Sequence, residues 1–322
     1  VSDVHQPVLS IVMPVHDTGP ILLDSVRSVI AQSLFALEGE AYWELLIVDD
    51  ASSDPATLAA LNQAAALSKS IRVIANQRAR GAAGARNMGI FAARGLWIGF
   101  LDSDDLWFPD FLQRQRDAFA SRTEARWRAA HFQTGDAAAT ARQLPLSERS
   151  PCLYRHIEGS YRAGEVATLS RPVDVLLRCG CIQVMTVQLP TTLIRSLGGF
   201  DESLDCAEDY DLWLRVAQTE DLHMAPIDAG IYRIRSGSLT RSGRPMYYGE
   251  DRMLLAARAK DGFAAYRADI DARLRMVYTK FCFDYRAQRR FGDAMRFAIR
   301  LIRAKPSSAE GWRQLAASML RR

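Results

Sequence analysis

Between residues 8 and 110 the chain alternates short apolar runs with amphipathic or Ala-rich segments, and this rhythm restricts its possible folds most. The runs Val8–Met13, Trp43–Val48, Ile71–Ala75 and Leu96–Leu101 have the length and the Val/Ile/Leu content of buried strands. Between the first two, Leu22, Val26, Val29 and Ile30 recur at helical spacing across residues 21–32. Ser52, Ser53 or Asp54 caps a helix whose first turn holds Pro55, Ala82–Arg94 is Ala-rich and helical, and Pro109 opens another helix. Strands and helices alternating at this interval imply an α/β protein, with a parallel sheet flanked by helices. Ligands of such sheets bind outside the carboxyl ends of the strands.

Those ends are where the unusual residues fall. Pro14-Val15-His16-Asp17, Asp49-Asp50-Ala51-Ser52 and Asp102-Ser103-Asp104-Asp105 each follow a strand run, and the topology gathers them on one rim. Carboxylates as close as Asp102, Asp104 and Asp105 repel and raise one another's pKa unless a cation or hydrogen-bond donors relieve them. A hard divalent cation with oxygen ligands is a common relief. An acidic turn capping the next helix would use the same residues. Acids converging from several strand ends favour a site.

The rest of the chain reads differently. After a strand at Ala129–Gln133, the stretch up to Ser170 is polar with scattered Gly and Pro, and is expected to be a long functional loop. A helix near Val173–Arg178, a strand near Ile182–Leu189 and a short helix ending at Gly198-Gly199 follow. Ala207–Gln218 is an amphipathic helix with Glu208, Asp209 and Asp211 in its first turn. Beyond Arg241 the strands stop. Tyr278, Phe281, Cys282 and Tyr285 form a helical stripe, Gly292 is expected to break it, and Met295, Phe297, Ile299, Leu301 and Ile302 form a second apolar set. A third short helix follows Pro306. The expected domains are 1–240, carrying the sheet, and 241–322, a basic helical extension.

Charge follows that division. Residues 251–322 hold 17 Lys+Arg against 7 Asp+Glu, a balance of +10, and the other 250 residues hold 24 against 30, a balance of −6. The Arg-faced helices either contact an anionic membrane surface or solvate a face that packs on the acidic body. No apolar run reaches the ~18 residues of a membrane span, and Val1–Pro7 carries no signal-peptide core. The five cysteines show no CxxC pair, so neither a zinc site nor a disulfide framework is expected, and a reducing compartment fits. Trp43, Trp97 and Trp213 read as packing residues; Trp107, directly after the acidic cluster, is a candidate sugar platform. His5, His131, His156 and His223 are expected to be structural or exposed.

Several motifs are excluded. There is no GxxxxGK[ST] phosphate loop and no GxSxG elbow, and the glycines from Gly81 to Gly89 have GxxG spacing after the third strand instead of GxGxxG after the first.

The motifs that remain are Ser10-Ile11-Val12-Met13-Pro14-Val15, Leu46-Ile47-Val48-Asp49-Asp50-Ala51-Ser52-Ser53-Asp54, Gly84-Ala85-Arg86-Asn87-Met88-Gly89 and Phe100-Leu101-Asp102-Ser103-Asp104-Asp105. In this order they resemble the family 2 glycosyltransferases. Leu197-Gly198-Gly199-Phe200-Asp201-Glu202, followed by Ala207-Glu208-Asp209-Tyr210-Asp211-Leu212-Trp213-Leu214-Arg215, is similar as well, so that the likeness covers most of residues 8–240. The resemblance implies a GT-A fold, Rossmann-like with a mostly parallel sheet flanked by helices, here with a C-terminal helical extension. It implies an inverting transfer of sugar from a nucleotide-diphosphate donor, a UDP-sugar foremost, to a hydroxyl of a glycan or lipid-linked acceptor of the cell envelope or a secreted polysaccharide. Nucleic acid is not an expected partner. The expected location is cytoplasmic, with peripheral contact at the inner face of the membrane.

Roles follow from the same resemblance. Pro14, Val15 and Asp50 would line the nucleobase and ribose site, with His16, Gly81, Arg86 and Ser103 also on the nucleotide sugar. Asp102 would approach the ribose, Asp104 would bind Mn²⁺ or Mg²⁺, and Asp209, paired with Glu208, would be the general base. Two positions depart from the family. His16 stands where an aromatic such as Tyr is common, and Arg235 stands where many members have a His that in some contacts the metal. Arg cannot ligate a metal, but it suits a diphosphate. The implied chemistry is coherent: a divalent cation offsets the charge developing on the leaving diphosphate, and a carboxylate takes the proton of a hydroxyl that is otherwise a poor nucleophile. A helix N-terminus favours the ionised form of Asp209. The competing readings are a non-catalytic nucleotide-sugar binding protein and a sugar-nucleotide pyrophosphorylase. The second would want a Gly-rich basic loop after the first strand, which Pro14–Gly19 is not.

Overall fold

The structure, a computed structural model, describes residues 6–136, 138, 140–180, 182–234 and 247–320. The chain divides into two compact units, one of residues 1–172 and 181–235, the other of residues 173–180 and 236–322.

The first unit is built on one ten-stranded sheet. Its strands are β1 (Leu9–Val15), β2 (Trp43–Asp49), β3 (Ile71–Ala75), β4 (Trp97–Phe100), β5 (Leu106–Trp107), β6 (Trp127–Gly135), β7 (Ala141–Arg142), β8 (Ala167–Leu169), β9 (Gln188–Pro190) and β10 (Leu222–Arg233). The order is β3-β2-β1-β4-β9-β6-β10-β5, with β7 added on β6 and β8 on β10. The first four strands pair in parallel, as the alternation with helices requires, and β6 and β10 are parallel too. The short strands β5, β7, β8 and β9 pair antiparallel, so the second half of the sheet is mixed.

The helices Leu22–Ile30, Pro55–Leu67 and Ala82–Ala92 connect the parallel strands. Asp54 caps the second of these, accepting from Thr57 N at 2.9 Å, with Pro55 in the first turn. Ile11, Met13, Leu45 and Ile47 are fully buried in the core beneath. Register then defines the rim: Val15 lies opposite Asp49, and Val12 opposite Phe100. The segments after β1, β2 and β4 therefore leave the sheet on the same edge.

Several sequence expectations need correction. The strand expected at Ala129–Gln133 lies within β6, but residues 136–170 are not one long loop, because they contain β7, β8 and the helices Leu146–Arg149 and Pro151–Arg162, the latter with Pro151 in its first turn. The strand expected at 182–189 shrinks to β9 behind a 3-10 turn at Val184–Thr186. β10, at 12 residues the longest strand, had no clear signal. Pro226 and Asp228 interrupt its alternation, and its register on β6 shifts on both sides of Asp228; bulges tolerate such residues. Trp107 is 3% exposed and donates its indole N–H to Met185 O at 2.9 Å, which makes it a core residue and not a sugar platform. Cys152 and Cys179 are each disulfide-bonded, against the expectation of none.

The described part of the second unit is helical: Val173–Cys179, Glu250–Ala259, Arg267–Ala287, Phe291–Ala304 and Ala309–Met319, with a 3-10 segment at Asp261–Tyr266. The stripe of Tyr278, Phe281, Cys282 and Tyr285 is buried, and Phe297 packs on it with ring centroids 4.5 Å from Phe281. Arg289, at φ +59°, ends the long helix, whereas Gly292 lies inside the next one. Arg273 holds Glu250 through two bonds of 3.0 Å, and Arg300 holds Asp251 at 2.8 Å, so part of the basic charge is paired within the unit. No helix among the described residues is long and apolar enough to cross a membrane.

One core group couples stability to pH. His131 on β6 is 4% exposed, and its Nε2 has no hydrogen-bond partner. Burial holds its pKa down at about 4, against about 6.5 for a free imidazole. The folded state thus binds fewer protons than the unfolded state between those values. The stabilisation is complete above pH 6.5 and is lost as pH falls towards 4, by on the order of 3 kcal/mol. Denaturant melts at pH 7 and pH 4.5 should show this loss, and His131→Gln should flatten it; equal slopes for both proteins would refute the assignment.

Candidate active site

The loop after β2 is fixed by a buried acid. Asp50, 5% exposed, accepts from Asn76 Nδ2 and from the Gly81 N–H, each at 2.7 Å. Gly81 has φ +106°, a conformation that favours glycine, and it leads directly into the helix Ala82–Ala92. His16 approaches the Asp50 carbonyl with Nδ1 at 3.1 Å, and Pro14 and Val15 end β1 beside it. Asp17 accepts from the N–H groups of Asp54 at 2.8 Å and Ser53 at 2.7 Å, and these bonds hold its carboxyl below the usual range. The ends of β1 and β2 are thereby tied together.

The helix Ala82–Ala92 carries the centre of the site. A Cβ on Gly84 would lie 1.9 Å from Ala79 O, so only glycine lets this first turn pack on the preceding loop. Two residues further, the Arg86 side chain is 6% exposed and bridges two acids from distant segments. One terminal nitrogen donates to Asp102 Oδ1 at 2.7 Å and the other to Glu208 Oε1 at 2.6 Å. Its guanidinium also faces the Phe200 ring at 5.4 Å. Burial opposes its charge, but Asp102 and Glu208 outweigh that and hold the guanidinium firmly protonated.

Asn87 organises the segment that leads to Glu208. It donates to Phe200 O at 2.9 Å and to Glu202 Oε1 at 2.8 Å, and accepts from Phe200 N at 2.8 Å. Gly199, at φ +73°, packs so closely that a Cβ would sit 2.2 Å from Asn87 Oδ1. Arg215 closes the same loop by donating to Leu197 O and Gly199 O, both at 2.7 Å, and to Asp211 Oδ2 at 2.8 Å. Ala207 then turns at φ +61° into the helix Glu208–Val216. Asp209, in the first turn of that helix, accepts the Tyr210 N–H at 2.7 Å.

The acids after β4 have distinct surroundings. Asp102 is half-buried against Arg86. Ser103 is buried, with its hydroxyl 2.7 Å from that of Thr18. Arg233, which the sequence reading did not single out, donates its side chain to the Asp104 carbonyl and its backbone N–H to Asp105 Oδ1 at 2.9 Å. Asp105 is 1% exposed and does not cap the next helix, which begins at Phe111. Its Oδ2 is buried with no hydrogen-bond partner. Burial, with repulsion from Asp102 and Asp104, pushes its carboxyl well above the usual range. An orphaned carboxylate oxygen beside two further acids is an all-oxygen donor set of the kind hard divalent cations take. The carboxylates of Asp102, Asp104 and Asp105 do not converge within 4.8 Å as a preassembled three-ligand group. Arg235 lies outside the described residues.

The structure thus brings Asp50 to Gly81, and Arg86 to both Asp102 and Glu208. Arg233, Asn87 and Glu202 are the supporting residues that sequence reasoning missed. The signal for Asn87 was its place next to Arg86, while Arg233 needed β10 to be known.

A family model, Glycosyl transferase family 2, matches residues 10–167. The Escherichia coli protein WfgD, UDP-Glc:alpha-D-GlcNAc-diphosphoundecaprenol beta-1,3-glucosyltransferase, is 30% identical over 236 residues, 72% of this chain and 79% of that protein. The chain covers less of other relatives: 24% of y4gI of Sinorhizobium fredii, at 30% identity over 76% of this chain, and 16% of RfbC of Myxococcus xanthus, at 28% identity over 74% of this chain. Among solved structures, S. aureus TarS 1–349 in complex with UDP-GlcNAc superposes with a TM-score of 0.64 at 15% identity, over 98% of this chain and 88% of that fragment. The mannosyltransferase PcManGT of Pyrobaculum calidifontis, in complex with GDP-Man and Mn²⁺, gives 0.61 at 15% identity over 98% and 80%. These structures share the GT-A fold with this chain, and identity extending through most of WfgD means that the chain belongs to glycosyl transferase family 2 and is a glycosyltransferase.

Proposed function

We propose that the chain transfers a sugar from a nucleotide-diphosphate donor, a UDP-sugar, to a hydroxyl of a glycan or lipid-linked acceptor in polysaccharide biosynthesis, with inversion at the anomeric carbon. The observation that carries this is the Arg86 bridge, which joins the acid loop after β4 to the Glu208-Asp209 pair. Asp102 on the donor side and Glu208, the neighbour of the candidate base Asp209, are thereby held on one buried cation.

The division of labour follows from the chemistry. Pro14, Val15, His16, Asp50 and Gly81 bind the nucleoside end. Asp102, with Arg86 and Ser103 fixing its loop, takes the ribose side, and Arg235 reaches for the diphosphate. Asp104 would hold a divalent cation, Mn²⁺ or Mg²⁺, beside the orphaned oxygen of Asp105. That ion, when bound, offsets the charge of the diphosphate; small hard cations commonly use one or two carboxylates plus substrate phosphates, so a preassembled cage is not needed. Asp209 accepts the proton of the acceptor hydroxyl while its oxygen bonds to the anomeric carbon and the nucleoside diphosphate departs from the opposite face. Residues 1–240 act as the catalytic domain and 241–322 as the basic extension.

A thermal-shift series with UDP, UDP-sugars and GDP, each with and without Mn²⁺, tests the donor. At about 100 Kd a ligand stabilises by roughly 2.7 kcal/mol, or roughly 5–10 °C for a domain of this size. UDP with Mn²⁺ should reach that range. A shift from GDP alone would reassign the base, and no shift from any diphosphate would overturn the proposal.

The extension is proposed to rest on an anionic membrane at the cytoplasmic face. Phe283, Trp312 and Met319 are at least half exposed there, among the excess of Arg; apolar contact plus basic charge is what such adsorption needs. The full chain should float with phosphatidylglycerol vesicles at low salt, and Arg296→Glu/Arg303→Glu should not. Equal flotation would remove the membrane role.

A further inference from the structure

A second concave feature of the first unit shares no residue with the acid set above. It is a pocket of about 460 Å³ whose lining includes Phe108, Gln133, Leu144, Arg149, Tyr161 and Asp228. That volume is within the range of small-molecule sites. Gln133 and Asp228 come from the paired strands β6 and β10, and Arg149 and Tyr161 from the two helices that follow β7.

The polar groups of this pocket are built in and incompletely satisfied. Gln133 is 8% exposed and donates Nε2 to Asp228 Oδ2 at 2.5 Å, while its Oε1 is buried without a hydrogen-bond partner. A buried acceptor in that state is costly unless a ligand or water donates to it. Arg149, 10% exposed at its side chain, bonds Asp228 Oδ1 at 2.9 Å and Leu144 O at 2.7 Å, and also donates to Phe132 O. Its charge and four of its five N–H donors are therefore engaged inside the protein. The Arg149–Asp228 pair leaves these lining groups formally neutral. An anionic ligand would meet an already neutralised guanidinium and the Asp228 carboxylate. A neutral polyol would find the Gln133 amide, whose buried Oε1 a small side-chain shift would open to it, the lone pairs of Asp228 and the phenol of Tyr161. Its apolar C–H face would find the Phe108 ring, since aromatic side chains pair an apolar face with polar neighbours well.

Two strands link this pocket to the acid loop. Phe108 stands three residues beyond Asp105, and its N–H bonds Ala229 O at 2.8 Å. β10 carries Asp228 and, at its end, Arg233, whose backbone holds Asp105. We propose that the pocket lined by Gln133, Arg149, Tyr161 and Asp228 binds a neutral sugar unit of the acceptor glycan. This assignment rests on the sugar-transfer reading and names the acceptor class: uncharged at the unit bound here, not a uronate or a phosphosugar.

Saturation-transfer NMR on the full chain tests it, with cellobiose, maltose and chitobiose as neutral probes and glucuronic acid and glucose 1-phosphate as charged ones. Saturating UDP and Mg²⁺, the diamagnetic choice of the two ions, are present throughout. At least one neutral disaccharide should receive saturation, and the charged probes should receive little. The signal should fall at least fivefold in Gln133→Leu and in the pocket-filling Leu144→Trp, but persist in Asp209→Asn. Because either change could disturb folding, Tyr161→Phe serves as a milder third variant, with a partial loss expected. No neutral signal, equal signals in all pocket variants, or a stronger signal from a charged probe would overturn the proposal. UDP binding is followed in the same samples: pocket-dependent sugar binding without UDP binding would support this site while refuting the UDP-donor reading.

Discussion

Arg86→Met should abolish sugar transfer and lower the melting temperature by roughly 6–20 °C. The estimate starts from burial. Arg86 is 6% exposed, and its acids Glu208 and Asp102 are 13% and 25% exposed, so none is well screened by water. Removing one member of a buried ion pair costs about 3–5 kcal/mol, because the partner charge is left behind. For a domain of this size that corresponds to roughly 2–4 °C per kcal/mol. Here two carboxylates are left behind, from segments whose only described direct link through Arg86 is electrostatic. The Glu208 helix and the Asp102 loop would then repel, and the base would lose its position relative to the donor. Arg86→Lys should recover little, since one ammonium cannot reproduce two bonds from a planar fork. Adding Glu208→Gln to Arg86→Met should restore part of the melting temperature without restoring turnover, which separates stability from catalysis. A melting temperature within 2 °C of the parent, with transfer largely intact, would refute this role.

How much of this arrangement was legible beforehand can be argued from particular residues. β1, β2 and β4 were readable because strands buried on both faces are continuous apolar runs, and Pro55 and Asp54 punctuate the helix after β2; β3, half exposed at the sheet edge, was readable from its Ile and Val content alone. The acid loop was readable because it follows such a run. β10 was not, since Pro226 and Asp228 broke its period and the bulges that absorb them exist only against β6. Without β10 there was no reason to place Arg233 beside Asp105. The Arg86 bridge was invisible for a related reason: a helix residue was assigned to the donor by resemblance, and only packing revealed that both acids, 16 and 122 residues away, reach its two ends. Pairings at such separations depend on tertiary closure and leave no local trace in the chain.

Asp209→Asn should reduce kcat about 10²–10⁴-fold, the usual contribution of a positioned base, or roughly 3–5 kcal/mol of barrier. Affinity for UDP with Mn²⁺ should change by less than about threefold, given that a lost transition-state interaction lowers kcat and kcat/KM together. Stability should change less than in Glu208→Gln, because an Asn oxygen can still accept the Tyr210 N–H that Asp209 accepts at 2.7 Å. Glu208→Gln provides the decisive contrast. Glu208 is engaged by Arg86 at 2.6 Å, so its loss should lower both the melting temperature and the rate. These outcomes would separate the two neighbouring acids by stability and not by rate alone, as the proposed roles require: Asp209 on the proton, Glu208 through the Arg86 guanidinium. If Glu208→Gln instead lost the rate with an unchanged melting temperature, and Asp209→Asn kept it, the base would be Glu208 and the bridge would be holding the catalytic group itself.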